Sequence, residues 1–567
     1  MKESIDGGTA LLEAFRACRA DYIFCCSGSE WAPVWEAIAR DRLHGRAGPR
    51  YLDLWHETVA VGMATGYALV TGRAQPVLLH AGPGLLQGSC AVHGALLAGA
   101  PMLVFSSESI TYGERAGQDP GSQWYRNLSI VGGPHALVPN VFKWSCQAPS
   151  IETLYEMTLR ATEMAMRTPT GPCYLNVPVE VLFDPWTAPA TPHPIAPAGG
   201  KVTPSAEIAQ LAERLRRARN PLLLTESAGR DPQAWRALVT LCDLLAIPVV
   251  EPQGAVSANF PRSHALHLGS NVEAAGGDVD LVLLVNCRAP WYPPSARPAG
   301  ATTVVIDEVP QRPHIVYQVL FADQYLEGDV ADTLQRLAEV LGRAELPQAL
   351  IAERRARHAA SHARQLAAIG AAEAKSAAAT KSIDAVRLLA ELRALAPADS
   401  IYVDETITHA RLVQQHLRLD EPGRYYYVQG GLGQGIAVAL GVKLAERDRP
   451  VVLTVGDGSF LYNPVLPSLA AARNLDLPLL IVIFNNRQYL SMKYNHLRIY
   501  PDSVAAATGM HLGVDLSGQP DLAACAAAFG MFGTTVSEPA QLRGALQAGL
   551  DAVAGGRSAI VNVLLEK

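Results

Sequence analysis

Residues 456–486 read "GDGSFLYNPVLPSLAAARNLDLPLLIVIFNN". Just before them stands "RPVVLTV", an apolar, β-branched run that predicts a buried strand ended by Gly456-Asp457-Gly458. Asn463 followed by Pro464 predicts an N-cap with proline at the first helical position, and a helix from there to Asn474. "LPLLIVIF" is the next strand, and it finishes at Asn485-Asn486. In a right-handed strand–helix–strand unit both strands point the same way. Asp457 and the paired asparagines therefore emerge at one carboxyl edge, where ligands of open α/β sheets bind. One carboxylate, one amide oxygen and a backbone carbonyl make a hard oxygen site, suited to Mg²⁺ that keeps coordination for phosphate oxygens. The glycines let the backbone come close to an anion. Either half alone reads as a turn, because Asp and Asn favour turns. At the two ends of one unit they read as a site.

The rest of the chain supplies the frame. At 567 residues it is too long for one core and predicts about two to four domains. Hydrophobic residues make up 49% and charged ones 18%, an ordinary soluble globular composition. A net charge of -6 with no long basic run argues against nucleic acid. The cysteines (18, 25, 26, 90, 146, 173, 242, 287 and 525) are odd in number and none forms CxxC, which argues against a disulfide framework and a structural zinc. The N-terminus lacks a signal-peptide apolar core, and no charge-free apolar run of about 20 residues follows, so a cytoplasmic protein without membrane partners is expected.

Two segments read as connectors. Residues 183–205 are rich in Pro and Ala, and residues 352–380 form an Ala/Arg helix of high propensity with no strong apolar face. They set off domains at 1–185, 203–345 and 380–567. The first alternates helical patterns with "YIFCC", "RYLDL", "PVLLH" and "PMLVFSS"; the second with "NPLLLTE", "IPVVEP", "VDLVLLVN" and "TTVVIDE". The third does so with "SIYVDE", "RPVVLTVG", "LPLLIVIFN" and "AIVNVLL". Continuously apolar strands, each followed by a helix, predict three doubly wound α/β domains with parallel sheets.

The GDG and NN elements, with 26 residues between them, resemble the thiamin diphosphate fingerprint of 2-oxo acid decarboxylases and acetolactate synthases. The resemblance implies that Asp457, Asn486 and the Gln488 carbonyl hold Mg²⁺ against the cofactor diphosphate, with Gly456, Gly458 and Ser459 around it. It also implies pyrimidine-binding, central Rossmann-like and diphosphate-binding domains in that order.

Other segments supply the remaining parts. In "YLDLWHETVAVGMATGYAL" a strand gives way to a helix with Glu57 in its first turn, where the helix dipole alone would favour a carboxylate. The helix is apolar on every side, and Gly62 and Gly66 permit close packing. A carboxyl group at its mouth is partly desolvated and suits a proton relay. The block resembles the family's HE…GYA segment, which implies Glu57 as the activating glutamate. "YVQGGLGQGIAVALGV" alone is a glycine-rich turn. Beside the fingerprint it resembles the segment contacting the aminopyrimidine through Gly430 and Gly431, with Leu432 as the bulky residue that bends the cofactor. In "VDETITHA", Thr406 and Thr408 are candidate donors to the diphosphate.

Near the start, "IFCCSGSEWAPVWEAI" resembles the family loop with Pro-Gly-Ser; Ser27 replaces the proline, while Gly28 and Ser29 remain. In "LLHAGPGLLQGSCAVHGALLAGAPMLVFSSES", Gln87 stands where Asn is common and the customary Gly-Gln ending is missing. Both departures weigh against a standard acetolactate synthase. His80 and Ser29 match a histidine and a serine of the benzoylformate decarboxylase site; a buried polar role for His80 is the alternative. His93 reads as structural. The substrate pocket implied by the resemblance comprises Ser29, His80, Gln87, Ser491 and Met492. "NCRAPWYPPSARP" lacks the arginine-rich pattern of flavin-bearing members, which disfavours FAD.

A P-loop NTPase is excluded by the absence of GxxxxGK[ST], and a serine hydrolase finds only "TESAG" at 225–229. A non-catalytic regulator on the same fold would be expected to lose Glu57, Asp457 or Asn486, and the chain keeps all three. The chain's end at "AIVNVLLEK" disfavours a 2-hydroxyacyl-CoA lyase, which would need a tail over its ester. The resemblance implies a thiamin diphosphate enzyme acting on small 2-oxo acids or aldehydes, first a 2-oxo acid decarboxylase with carboligase capacity, with an acetolactate-synthase-type carboligase or a 2-hydroxyacyl-CoA lyase as alternatives. Decarboxylase and carboligase are separated by whether a proton or a second carbonyl compound is taken up. The resemblance implies a homodimer or homotetramer with the active site at the subunit interface.

Overall fold

The computed structural model describes residues 5–109, 123, 128–191, 195–197, 199–276, 278–312 and 321–566. They form two compact units. The first comprises residues 1–198, 428–448 and 461–477, and the second residues 199–427, 449–460 and 478–567.

The first unit is built on six parallel strands: β1 (Tyr22–Cys26), β2 (Arg50–Leu54), β3 (Gln75–Leu78), β4 (Met102–Ser106), β5 (Trp144–Gln147) and β6 (Pro172–Asn176). Their order is β2-β1-β3-β4-β6-β5. β3, β4 and β6 are buried at every residue, as expected of strands covered on both faces. The order reverses between β1 and β3, which opens a crevice at their carboxyl ends.

The second unit carries two parallel sheets. One contains β7 (Pro221–Thr225), β8 (Val249–Val250), β9 (Leu281–Val285), β10 (Thr302–Asp307) and β11 (Gln324–Glu327), in the order β11-β10-β9-β7-β8. The other contains β12 (Ile401–Glu405), β13 (Tyr425–Tyr427), β14 (Val451–Gly456), β15 (Leu480–Asn485), β16 (Phe532–Val536) and β17 (Ala559–Leu564). Its order, β13-β12-β14-β15-β17-β16, reverses between β12 and β14. Three parallel α/β sheets are thus present, as the alternating pattern predicts. β5, β6, β11, β13 and β16 were not among the predicted strands.

Two expectations are corrected in detail. The helix after the GDG turn starts at Val465, one residue later than predicted, and runs to Asn474. Asn463 does not cap it. Its side-chain oxygen accepts instead from Ile436 N at 3.1 Å, at the start of the Gly435–Ala445 helix. A short helix, Asp457–Tyr462, intervenes directly after β14. The second connector is a single helix, Gln348–Ala377, but it is not merely a surface strut: Ile351, Arg354, His358, His362 and Ile369 are buried along it. The first connector shows no helix or strand among its described residues from Asp184 to Pro204; residues 192–194 and 198 lie outside them. No helix among the described residues is long and apolar enough to cross a membrane.

Within the first unit, the Glu57–Thr71 helix and the Gly435–Ala445 helix meet backbone to backbone. A Cβ at Gly66 would fall 2.1 Å from Val438 O, and one at Gly441 would fall 2.0 Å from Met63 O. Only glycine fits such a crossing, which explains Gly62, Gly66 and Gly441 on otherwise apolar helices.

Candidate active site

In the first unit, three neighbouring strands deliver their following residues to one edge. β2 leads to Glu57, the first residue of its helix, whose N-cap is the His56 ring accepting from Thr58 N at 3.1 Å. β1 leads to Ser29, which is exposed, and β3 leads to His80, two residues past the strand end. The Pro83–Ala98 helix closes this edge. A Cβ at Gly84 would lie 3.1 Å from Glu57 Oε1 and 2.9 Å from His80 Cβ, so both side chains lean on a bare stretch of helix. Gln87, on the same helix, is exposed. Farther along it, a Cβ at Gly430 would lie 2.3 Å from Gly94 Cα, and one at Gly431 would lie 3.9 Å from Cys90 Sγ. Gly430, Gly431 and Gly433 take φ values of +87°, +123° and +94°, which require glycine. Leu432 is half-buried between them.

The sequence reading missed one residue here. Glu30, 2% exposed, follows Ser29 and places both carboxylate oxygens against His80 Nδ1 at 2.9 and 3.0 Å, while Ala81 N donates to Oε1 at 2.8 Å. Glu30 raises the His80 pKa through this hydrogen bond, burial opposes it, and Glu57 adds a smaller upward push. The signal was available: a carboxylate inside an apolar stretch, one turn past a strand adjacent to that of His80. At the end of β1, burial pushes the Cys26 thiol pKa upward, and the Glu57 carboxylate pushes it further.

The second unit holds the GDG and NN elements. Asp457, 2% exposed, opens the short helix after β14, and burial pushes its carboxyl pKa up to about 6. Gln519 Nε2 donates to Asn485 Oδ1 at 2.7 Å and reaches Asp457 Oδ2 at 3.4 Å, linking the two strand ends. The two asparagines divide the work. Asn485 ends β15 and anchors the sheet by donating to Asn562 Oδ1 at 3.0 Å, whereas Asn486 stands past the strand and accepts from Gln488 N at 2.9 Å. Arg487, between Asn486 and Gln488, takes φ +56°, which turns the chain sharply. Gln519 was also missed, because it comes from a loop without periodicity.

Across the reversal point, Thr406 O would lie 3.9 Å from a Cβ at Gly456, and Thr408 is half-buried after β12. Gly458 packs so closely on the Tyr489 ring that a Cβ would fall 2.4 Å from it. Ser459 is buried beside them. Ser491 and Met492 sit on the Leu490–Ile499 helix, which has no buried residue.

These residues fit a diphosphate held by a dication. Among the described residues no group of three or more His, Cys, Asp or Glu could hold a metal ion; a dication here would be held by one carboxylate with amide and backbone oxygens. Thr406 Oγ1, Gln488 Oε1 and Gln519 Oε1 are buried without a hydrogen-bond partner. Buried oxygens without partners, beside an acid pushed toward protonation, suit a hard cation.

In the central sheet, strand order reverses between β7 and β9, and the chain fills that crevice itself. Glu226, at the end of β7, accepts from Arg288 N and Ala289 N, both at 2.9 Å.

Comparisons with known proteins identify the three domains. The N-terminal TPP binding domain of thiamine pyrophosphate enzymes matches residues 5–126, the central domain 208–337 and the C-terminal TPP binding domain 407–563. Benzoylformate decarboxylase of Pseudomonas aeruginosa is 29% identical over 534 residues, covering 91% of either chain. The acetolactate synthase isozyme 3 large subunit of Escherichia coli is 25% identical over 558 residues, covering 93% of this chain and 90% of its own. A solved thiamine diphosphate-dependent 4-hydroxybenzoylformate decarboxylase of Rhodococcus jostii superposes with a TM-score of 0.78 over 99% of both chains at 24% identity, a likeness of fold.

Proposed function

The chain belongs to the thiamine pyrophosphate enzyme family, and from that premise we propose that it is a Mg²⁺-dependent 2-oxo acid decarboxylase with carboligase capacity. The observation that carries the choice of decarboxylase is the His80–Glu30 pair on the edge shared by Glu57 and Ser29. When bound, the thiazolium ring of thiamin diphosphate supplies the electron sink for cleaving the bond next to a carbonyl.

The chain's own residues do the rest. Asp457, Asn486 and the Gln488 carbonyl would hold Mg²⁺, with Gly456, Gly458, Ser459 and Thr408 around the diphosphate. Gly430, Gly431 and Leu432 would seat the aminopyrimidine, and Glu57 would hold a proton there. Ser29, Gln87, Ser491 and Met492 would line the substrate pocket. His80 would deliver the proton that makes aldehyde rather than acyloin. Imidazole is the side chain suited to that task near neutral pH, and Glu30 keeps it charged higher in the pH range. An acetolactate-synthase-type carboligase is the second reading, supported by the relative at 25% identity. Glu226 occupies the central crevice with a carboxylate, which supports a chain without flavin.

The test is a panel of 2-oxo acids with thiamin diphosphate and Mg²⁺, scoring carbon dioxide, aldehyde and acyloin. On the best substrate, His80→Ala should slow aldehyde formation by about 10²–10⁴ and raise the acyloin share when a second aldehyde is supplied. Glu30→Gln should keep part of the rate. Because Glu30 raises the His80 pKa, its loss should move the alkaline fall in rate to lower pH. If His80→Ala leaves rate and product ratio untouched, His80 is a core histidine and the carboligase reading replaces this one.

We also propose at least a homodimer, with a tetramer expected. The support is the family resemblance, since in this structure the two glycine-faced helices meet within one chain. A cofactor-loaded, active monomer by light scattering would contradict it.

A further inference from the structure

At the carboxyl end of the edge strand β8 lies a cavity of about 210 Å³ that the proposed catalysis does not use. Residues 266–269 run beside β8 as a fringe. Val249 N donates to Leu266 O at 2.8 Å, Leu268 N returns to Val249 O at 2.8 Å, and Glu251 N reaches Gly269 O at 2.9 Å. The Gln348–Ala377 helix forms another wall and is tied to the fringe by the His362 ring, 2.8 Å from His267 O. Gly269 takes φ +72°, and a Cβ there would fall 2.5 Å from Gln365 Nε2, so Gln365 leans over bare backbone.

The polar lining is unbalanced. Glu251 is the one carboxylate on the wall, and its oxygens already accept from Arg262 Nη2 at 2.9 Å, Phe260 N at 3.1 Å and Asn259 N at 3.4 Å. Arg418 gives Nη2 to Glu373, which also takes Arg393 and His416. Arg411, exposed at the rim, has no acidic partner among the described residues. Of the three guanidinium groups on the wall, Arg262 is paired with Glu251 and Arg418 with Glu373, which leaves the charge of Arg411 uncompensated among the described residues. His267 and Arg262, each 6% exposed, keep Nε2 and Nε buried without a hydrogen-bond partner, and Arg418 Nε is in the same condition. Burial holds the His267 pKa well below its ordinary value, so its neutral ring still has a proton to offer. Leu366 and Ile369 give the cavity an apolar side. Buried donors without acceptors mark a place where an acceptor belongs.

We infer that this cavity is a second ligand site, taking a small organic anion whose carboxylate or phosphate meets Arg411 and Arg418 and whose compact apolar body lies on Leu366 and Ile369. Isothermal titration of the holoenzyme with benzoate and with phenyl phosphate separates the two head groups. One probe should bind with one site per chain. Benzoate binding the tighter identifies a carboxylate ligand, and phenyl phosphate a phosphate ligand. Arg411→Glu should weaken that probe at least about tenfold. Leu366→Trp, which fills the cavity, should abolish its binding. Both variants should retain wild-type turnover without the probe, and His80→Ala should leave probe affinity unchanged, separating this site from the catalytic one. Three results would overturn the inference: no heat from either probe, equal affinity in wild type and Leu366→Trp, or binding lost in His80→Ala instead.

Discussion

Asp457→Ala is expected to abolish Mg²⁺-dependent binding of thiamin diphosphate. The dication at the proposed site would have one protein carboxylate, and the remaining donors are neutral amide, hydroxyl and carbonyl oxygens. Hard cations bound to phosphate rely on one or two such carboxylates, with the rest of the shell supplied by water and ligand. Disturbing an outer-shell partner already costs a metal site about 10–100-fold, so losing the carboxylate should exceed that. The variant should still fold. Asp457 is 2% exposed and its carboxyl is pushed up to about 6 by burial, so the apo chain loses an acid that resists ionising there. Calorimetric titration with Mg²⁺ present separates the outcomes. No saturable heat in Asp457→Ala, together with an apo melting curve close to wild type, is the expected result. An unchanged affinity would remove Asp457 from the site, and with it the reason for pairing the GDG turn with the asparagines.

How much of this was legible in the sequence follows from what each residue type signals. β14, β15 and β17 are six-residue, mostly apolar strands buried along nearly their whole length, and they stand out as strands. Four of the missed strands, β5, β11, β13 and β16, are sheet edges, whereas β6 is a fully buried interior strand. β16 alternates exposure along "FGTTV", β5 is half-buried throughout, and β13 is three residues long, so none presents a continuous apolar run. Asn463 reads as a local cap because asparagine before proline is a local signal. Its actual partner is Ile436 N, a contact set by tertiary packing. The connector helix hid its buried face for a related reason. Arg354, His358 and His362 recur at four-residue spacing, but apolar periodicity does not count them. Glu57, Asp457 and Asn486 stand out in the sequence because each follows a strand end, where the local pattern itself marks a candidate site. Glu30 and Gln519 act through partners 50 and 62 residues away, and only the fold brings those partners close.

The second large effect is expected at Glu57. Glu57→Gln preserves size and hydrogen-bonding reach, and the amide fits the same bare stretch of helix at Gly84 and Gly88. What it loses is the ability to hold and return a proton. The diphosphate and metal contacts are proposed for the other unit, so thiamin diphosphate should bind with near wild-type affinity. Exchange of the thiazolium proton against deuterated water, followed by rapid quench and NMR, should slow by about 10²–10⁴, the usual worth of a positioned acid–base group. Overall turnover should fall in proportion if cofactor activation limits the reaction. Binding and exchange together make the outcome specific. Loss of binding alongside exchange would assign Glu57 to holding the fold at the helix mouth, where its charge favours the helix dipole. Wild-type exchange with intact binding would mean that another group on this edge moves the proton. The same exchange measured in His80→Ala decides between the two, because the imidazole paired with Glu30 is another proton-carrying group on that edge.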